Sequence, residues 1–310
     1  MKGLRVVQSV TELIGNTAMI DLTPETLLGH SRLLAKLEIE NIGGSVKDRL
    51  GMHLVERALA TGKLLPNGII IEPTAGNTGI GLALAAIHTN IKVIFVVPEK
   101  FSIEKQVLME ALGAKIVHTP TEKGMAGAIE KAKELEKEIP DSYCPLQFEN
   151  EANPLTYYET LAPEIYEDLD GKVDIFVAGA GSGGTFTGSA RYFKEKNPEI
   201  KTVIVEPEGS IINGGTPGPH DTEGIGMEFL PQFMNKEHFD EIYTILDKDA
   251  FHQVKELARN EGMLVGSSSG CAFAAALKEA EKAPDGTNIV VIFPDGSERY
   301  LSKNIYHYKQ

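Results

Sequence analysis

The lysine at position 47 stands where a cation is out of place. Two glycines precede Ser45, a residue that caps helices well, and Val46, Leu50, Leu54 and Val55 then recur at helical spacing until Gly62. Lys47 therefore falls in the first turn of the predicted helix. The partial positive charge of a helix N-terminus opposes another positive charge there. That favours the neutral amine which a nucleophile or base must offer. A surface lysine paired with Asp48 would occupy the same position without chemistry, and for Lys47 taken alone that is the favoured reading.

Three further stretches could gather an anion. Ile69–Ala86, IIIEPTAGNTGIGLALAA, passes from a β-branched run through Glu72-Pro73 into Thr74, Ala75, Gly76, Asn77 and Thr78, then into the helix formers Leu82 to Ala86. The N–H groups of a helix start, with the side chains of Thr74, Asn77 and Thr78, suit a carboxylate or a phosphate. A capped strand-to-helix turn explains the same residues equally well. Val177–Thr185, VAGAGSGGT, again follows a strand and opens a helix, and its bare N–H groups make a nest for phosphate oxygens. The third stretch, Gly262–Gly270, brings Ser267, Ser268 and Ser269 to another helix start, where a capping serine is a sufficient explanation.

The second stretch also raises a rival. Gly179, Gly181 and Gly184 satisfy G-x-G-x-x-G, and Glu206 stands about 20 residues on, where a ribose-binding acid belongs. A nicotinamide dehydrogenase is thus a competing reading. Against it, the run Gly181–Thr185 is a cradle better suited to one terminal phosphate. The dehydrogenase also leaves Lys47 and the 74–78 loop without a role.

The bulk composition narrows the partners. With 30 basic and 44 acidic residues the net charge is −14, which argues against nucleic acid or an anionic membrane surface. Any anion must be gathered by local dipoles. Cys144 and Cys271, far apart in sequence, give neither a disulfide framework nor metal spacing, and with no H-E-x-x-H or C-x-x-C no metal is expected. The N-terminus, MKGLRVVQSVTEL, has no long apolar run, so a signal peptide and a membrane span are not expected either. A cytoplasmic enzyme or binding protein is the bounded answer.

The elements that must position these residues alternate along the chain. After a short helix-like piece ending at Gly15, strands are predicted at 33–37, 69–71, 92–97, 115–118, 173–178, 201–205, 242–246 and 288–293. Helices are predicted at 102–112, 125–137, 155–169, 185–196, 250–260 and 270–282, besides those that open near Ser45 and Asn77. Such alternation means an α/β protein with mainly parallel sheets. The charged helix 125–137 reads as a solvated face. The loop 207–231 is too long for a plain connection, and its Ile211, Ile212, Ile225, Met227 and Phe229 argue for a lid or binding loop over disorder.

Taken together, Gly44-Ser45-Val46-Lys47-Asp48-Arg49, Glu72–Gly79, Gly181–Thr185, Gly224-Ile225-Gly226 and Ser267–Gly270 resemble, in order and over essentially the whole chain, the fold-type II pyridoxal-phosphate enzymes. Within them the chain is similar to the cysteine synthase and cystathionine β-synthase family, on the O-acetylserine-dependent bacterial side. The resemblance implies a tryptophan synthase β-like α/β fold of two domains, each a mainly parallel sheet flanked by helices. Residues 45–149 would form a smaller, mobile domain, and 1–44 with 150–310 a larger cofactor-binding one, the cofactor lying between them.

It further implies roles. Lys47 would hold pyridoxal 5'-phosphate as a Schiff base and carry the proton. Asn77 would bond the cofactor's phenolic oxygen. Gly181, Ser182, Gly183, Gly184 and Thr185 would cradle its phosphate, and Ser268 would meet the pyridine nitrogen. A hydroxyl there, unlike a carboxylate, does not enforce pyridine protonation, which suits elimination and addition at the β-carbon. Thr74, Ala75, Gly76, Thr78 and Gln147 would bind the amino-acid carboxylate. Two departures stand out: Ala75 replaces the family's usual serine, and Glu223 precedes Gly224 as an acid does in cystathionine synthases. The implied reaction is β-replacement on O-acetyl-L-serine, with sulfide giving cysteine and homocysteine giving cystathionine, in a homodimer. No haem-binding extension or regulatory tail is expected. A non-catalytic ligand-binding regulator on the same fold is the second alternative, and the intact Lys47 argues against it.

Overall fold

The structure is a computed structural model, and it describes residues 6–27 and 30–308. In chain order the strands are β1 (Met19–Asp21), β2 (Ser31–Leu37), β3 (Ile69–Pro73), β4 (Lys92–Pro98), β5 (Lys115–Thr119), β6 (Ser142–Tyr143), β7 (Ile175–Gly179), β8 (Lys201–Pro207), β9 (Glu241–Ile245) and β10 (Thr287–Phe293). The α-helices are α1 (Lys47–Ala60), α2 (Asn77–Ala86), α3 (Ile103–Ala111), α4 (Gly124–Glu138), α5 (Ala152–Glu159), α6 (Leu161–Asp168), α7 (Gly184–Lys196), α8 (Asp247–Asn260) and α9 (Ser267–Ala280). As predicted from the alternation, this is an α/β fold with mainly parallel sheets flanked by helices.

Two compact units emerge. Among the described residues, the first takes those up to Asn16 and Asn41–Ala152; the second takes those of Thr17–Glu40 and those from Asn153 onward. Residues 6–16 and 41–44, expected with the larger domain, thus belong to the first unit. The reason is hydrogen bonding: Gly15 N–H donates to Asn41 Oδ1 at 2.8 Å and Gly43 N–H to Asp48 Oδ2 at 2.6 Å. Residues 17–40 go the other way because β2 pairs in parallel along its whole length with β10.

The first unit is built on a parallel sheet in the order β5-β4-β3-β6. Ile71 and Val96 pack there against Ala128 and Ala132 of α4, so the charged helix presents small residues to the sheet. The second unit holds the order β1-β2-β10-β7-β8-β9, antiparallel only at the β1 edge. Ala272, Ala275 and Ala276 of α9 lie against Val177, Val203 and Val291 in its core.

Local departures have local causes. The single helix expected at 155–169 is two, broken at Thr160. Pro163 lacks the N–H that would continue the helix, and its ring excludes the Glu159 carbonyl. Helix α9 begins at Ser267, not Gly270, because Gly266 takes the cap position in extended geometry. At α1 the cap position belongs to Val46, while the Ser45 hydroxyl accepts the Lys47 N–H at 3.2 Å.

The long loop after β8 is pinned by hydrogen bonds along its length. Ile212 and Asn213 donate to Glu206, Met227 donates to Ser210 Oγ, Asp221 and Thr222 donate to Asp247, Glu223 donates to Ser267 Oγ, and Gly226 donates to the Ala180 carbonyl. Ile212, Ile225 and Met227 are buried, whereas Phe229 is exposed.

Candidate active site

In the first unit, Lys47 is half-buried on the opening residue of α1. Helix α2 crosses α1 at backbone contact: a Cβ on Gly81 would collide with the Lys47 carbonyl oxygen, and one on Gly51 with the Gly81 backbone. The amine-bearing turn and the start of α2 are therefore held against each other. Asn77 opens α2, and Gly76, without a side chain of its own to cap the end, stands at the cap position in extended geometry. Thr74 Oγ1 accepts the Gly76 N–H at 3.3 Å, which shapes the loop. The buried Thr78 hydroxyl donates to Gln147 Oε1 at 2.8 Å, so the structure brings Gln147 to the loop from which it is far in sequence.

That meeting depends on a residue to which the sequence reading gave no role. Glu72, fully buried, accepts the N–H of Leu146 at 2.8 Å and of Gln147 at 3.1 Å. Burial pushes its carboxyl up to about 7, against the pull of those two N–H donors and with the Glu149 charge adding to the rise. An acid inside a buried strand, directly before a proline, was the available signal.

In the second unit, β7 leads through Ala180 and Gly181 into α7, whose cap Gly183 has φ 82°. A Cβ on Gly181 would strike the Gly224 carbonyl oxygen, so the cradle and the Gly224–Gly226 turn close on each other only without side chains. Ser182 is buried and accepts from Asn153 Nδ2 at 3.0 Å, and Thr185 is buried on the first turn. Narrow walls, a helix N-terminus and two hydroxyls fit a phosphate monoester, the anion that pyridoxal phosphate presents. Asn153 carries no sequence signal that could have marked it.

The three serines of α9 are differently engaged. Ser267 Oγ accepts the Glu223 N–H at 3.0 Å, which ties down the residue ahead of Gly224. Ser268 is buried, its Oγ 3.9 Å from where a Cβ on Gly224 would stand, and the Tyr300 hydroxyl is equally near that point. Tyr300 in turn donates to Asp295. Glu223 is half-buried, with Lys303 Nζ 3.7 Å from its carboxylate.

Glu206 settles its own rival role. Fully buried, it accepts from Ile212, Asn213 and the Thr244 hydroxyl, and so it is a loop anchor rather than a ribose acid. Both cysteines are buried and unpaired, and burial pushes each thiol up. Among the described residues no cluster of three or more His, Cys, Asp or Glu is disposed to hold a metal ion, and no helix is long and apolar enough to cross a membrane.

Comparison with known proteins agrees with this geometry. Residues 10–295 match the family model described as pyridoxal-phosphate dependent enzyme. The chain is 61% identical to the O-acetylserine dependent cystathionine beta-synthase of Bacillus subtilis, over 98% of this chain and 99% of that one. It is 54% identical to a cysteine synthase of Helicobacter pylori, over 98% of this chain and all of the relative. The crystal structure of the O-acetylserine dependent cystathionine beta-synthase from Helicobacter pylori superposes with a TM-score of 0.94 at 54% identity, covering 98% of this chain and 100% of the other.

Proposed function

This chain belongs to the family of pyridoxal-phosphate dependent enzymes, and from that premise we propose that it carries out β-replacement on O-acetyl-L-serine, exchanging acetate for a thiol. Sulfide as the thiol gives cysteine and homocysteine gives cystathionine. The observation that carries the proposal is the Thr78–Gln147 bond at the start of α2, one helix contact away from Lys47. An amine that can move a proton and a seat for an α-carboxylate thus share one rigid frame.

Pyridoxal phosphate, when bound, supplies the electron sink that makes the α-hydrogen of an amino acid acidic and lets a β-substituent leave. Lys47 anchors it and then takes and returns the proton at the substrate α-carbon. Asn77 donates to its phenolic oxygen. Gly181, Ser182, Gly183, Gly184 and Thr185 hold its phosphate, and the Ser268 hydroxyl meets its pyridine nitrogen. Thr74, Ala75, Gly76, Thr78 and Gln147 bind the carboxylate, where the absence of a hydroxyl at Ala75 leaves the backbone donors in place. The enzyme works in the cytoplasm as a homodimer.

Gly224 and Glu223 shape the thiol's approach. Homocysteine brings an ammonium that sulfide lacks, and the Glu223 carboxylate is the acid to which its binding is assigned. Lys303 is a weak competitor, since a long ion pair with a solvent-exposed lysine contributes little. Names in both halves of the family among the relatives support dual use. Steady-state rates with each thiol test it. Glu223→Gln is expected to lower homocysteine use several-fold more than sulfide use. No cystathionine from the wild type, or equal losses with both thiols, would remove homocysteine from the proposal.

A further inference from the structure

We propose that Glu72 is a positioning residue whose ionised carboxylate seats Gln147 against Thr78, so that one buried proton governs how tightly the amino-acid donor is held. The inference rests on the reading of residues 74–78 and Gln147 as the carboxylate seat. Its geometry lies within the first unit.

Glu72 lies on β3, two residues before Thr74, and is fully buried. Each carboxylate oxygen takes one of two consecutive backbone N–H groups, Oε2 from Leu146 and Oε1 from Gln147. Leu146 has φ 52°, a left-handed conformation that a branched apolar residue avoids unless something external imposes it. The clamp imposes it. From there the Gln147 side chain reaches Thr78 on α2. The strand that delivers the loop thus also grips the segment that completes it.

The charges around Glu72 can be named from each neighbouring element. Phe95 lies opposite on β4. Tyr143 and Cys144 come from the β6 side, neither ionised at neutral pH because burial pushes both up. Glu149 adds a negative charge beyond them and is itself paired with Lys133 of α4 at 3.1 Å; Glu136 of the same helix accepts the Cys144 N–H. Among the described residues no basic side chain pairs with Glu72, so two amide dipoles alone balance its charge. A proton taken from solvent would turn one carboxylate oxygen from acceptor into donor, facing an N–H that is also a donor. One half of the clamp is then lost. Burial has raised this carboxyl to about 7, within reach of that event near neutrality.

Glu72→Gln fixes the half-clamped form, since an amide offers one acceptor only, whereas Glu72→Asp keeps the charge. Two readouts decide. The first is KM and kcat for O-acetyl-L-serine from about pH 8 to about pH 6. In wild type KM should rise roughly tenfold with kcat little changed, the effect of one charge-assisted hydrogen bond. In Glu72→Gln KM should be high and flat, and Glu72→Asp should restore the slope. The second, independent of turnover, is hydrogen exchange at the Leu146 and Gln147 amides, corrected for its intrinsic pH dependence. Protection should fall with pH in wild type and be low throughout in Glu72→Gln. Equal losses of kcat and KM in Glu72→Gln, or a wild-type KM slope retained in it, would overturn the proposal. If Glu72→Gln does not fold, flat wild-type protection across that pH range overturns it equally. A wild type that does not turn over O-acetyl-L-serine refutes the proposed function instead, and the exchange measurement still judges the clamp.

Discussion

Ser267 and Ser268 are adjacent on the first turn of α9, and their hydroxyls face different duties. Ser267 holds the Glu223 N–H, which leaves Ser268 as the hydroxyl beside Gly224. A carboxylate at Ser268 would hold a pyridine nitrogen protonated and draw charge away from the β-carbon. Ser268→Asp is therefore expected to retain cofactor yet slow β-replacement. Ser268→Ala should lose only about one hydrogen bond, on the order of 1 kcal/mol. Initial rates beside the visible absorption of bound cofactor check both; equal, negligible effects would move the role to a neighbouring serine. For Lys47 the expectation is sharper. Lys47→Ala removes the proposed proton carrier from a half-buried turn without opening the core. Thermal stability should change little and turnover should fall by about 10² to 10⁴ or more. Near-normal rates would take Lys47 out of the mechanism.

At the scale of elements, what could be read from the sequence was what is local. β-branched runs gave β3 and β7, glycine-rich turns gave the loops after them, and Ala- and Leu-rich segments gave α2 and the interior of α9. The residues that brace these turns were not legible, because their partners are remote. Leu146 and Glu72 are separated by 74 positions, and Asn153 and Ser182 by 29. Pro163 did announce the break between α5 and α6, and only the strength of the flanking helical pattern obscured it. One device recurs in both sheets: a buried Glu-Pro at a strand end, Glu72-Pro73 and Glu206-Pro207, clamps two successive N–H groups of another segment. Glu206→Gln should free the loop that follows β8. Losing a hydrogen bond to a buried charge, about 1.5–3 kcal/mol, should raise proteolytic nicking within 208–231 roughly tenfold or more. Limited proteolysis reads this directly, and an unchanged cutting rate would assign the anchoring to Asp247 and Ser210.

For the whole molecule, stability should respond to pH in two opposed ways. Thr23 and Arg32 hold Asp21 low, and Lys194 and Thr202 hold Asp240 low, despite the burial that works against both. Stability from these carboxylates is present above the unfolded value of 3.8 and is lost as acid protonates them. Glu72 acts with the other sign. Its folded value of about 7 exceeds the ordinary value of 4.5, so the folded chain binds the extra proton. That contribution is full below 4.5 and disappears as pH rises through 7, by up to about 3 kcal/mol. The difference in Tm between wild type and Glu72→Gln should therefore shrink or change sign across this window. A difference independent of pH would mean that Glu72 titrates as an ordinary carboxyl.

The contact between α1 and α2 has a consequence for which amino acids can be used at all. With no room for a methyl at Gly81, the Lys47 turn and the carboxylate seat cannot slide along one another; together they behave as a fixed calliper. On the roles proposed for Lys47 and for residues 74–78, its jaws are set for a carboxylate one bond from the carbon whose proton is moved. A β-amino acid lengthens that span by a carbon, so it either seats its carboxylate and presents the wrong atom to Lys47, or presents the right atom and leaves its carboxylate unbound. β-Alanine and its acetoxy derivatives should thus neither exchange the protons of their amine-bearing carbon for deuterium nor compete with O-acetyl-L-serine. Gly81→Ala, by prising the jaws apart, should impair every donor alike. Deuterium exchange by NMR distinguishes a calliper from a loose cleft: proton exchange from a β-amino acid would show that the spacing is adjustable.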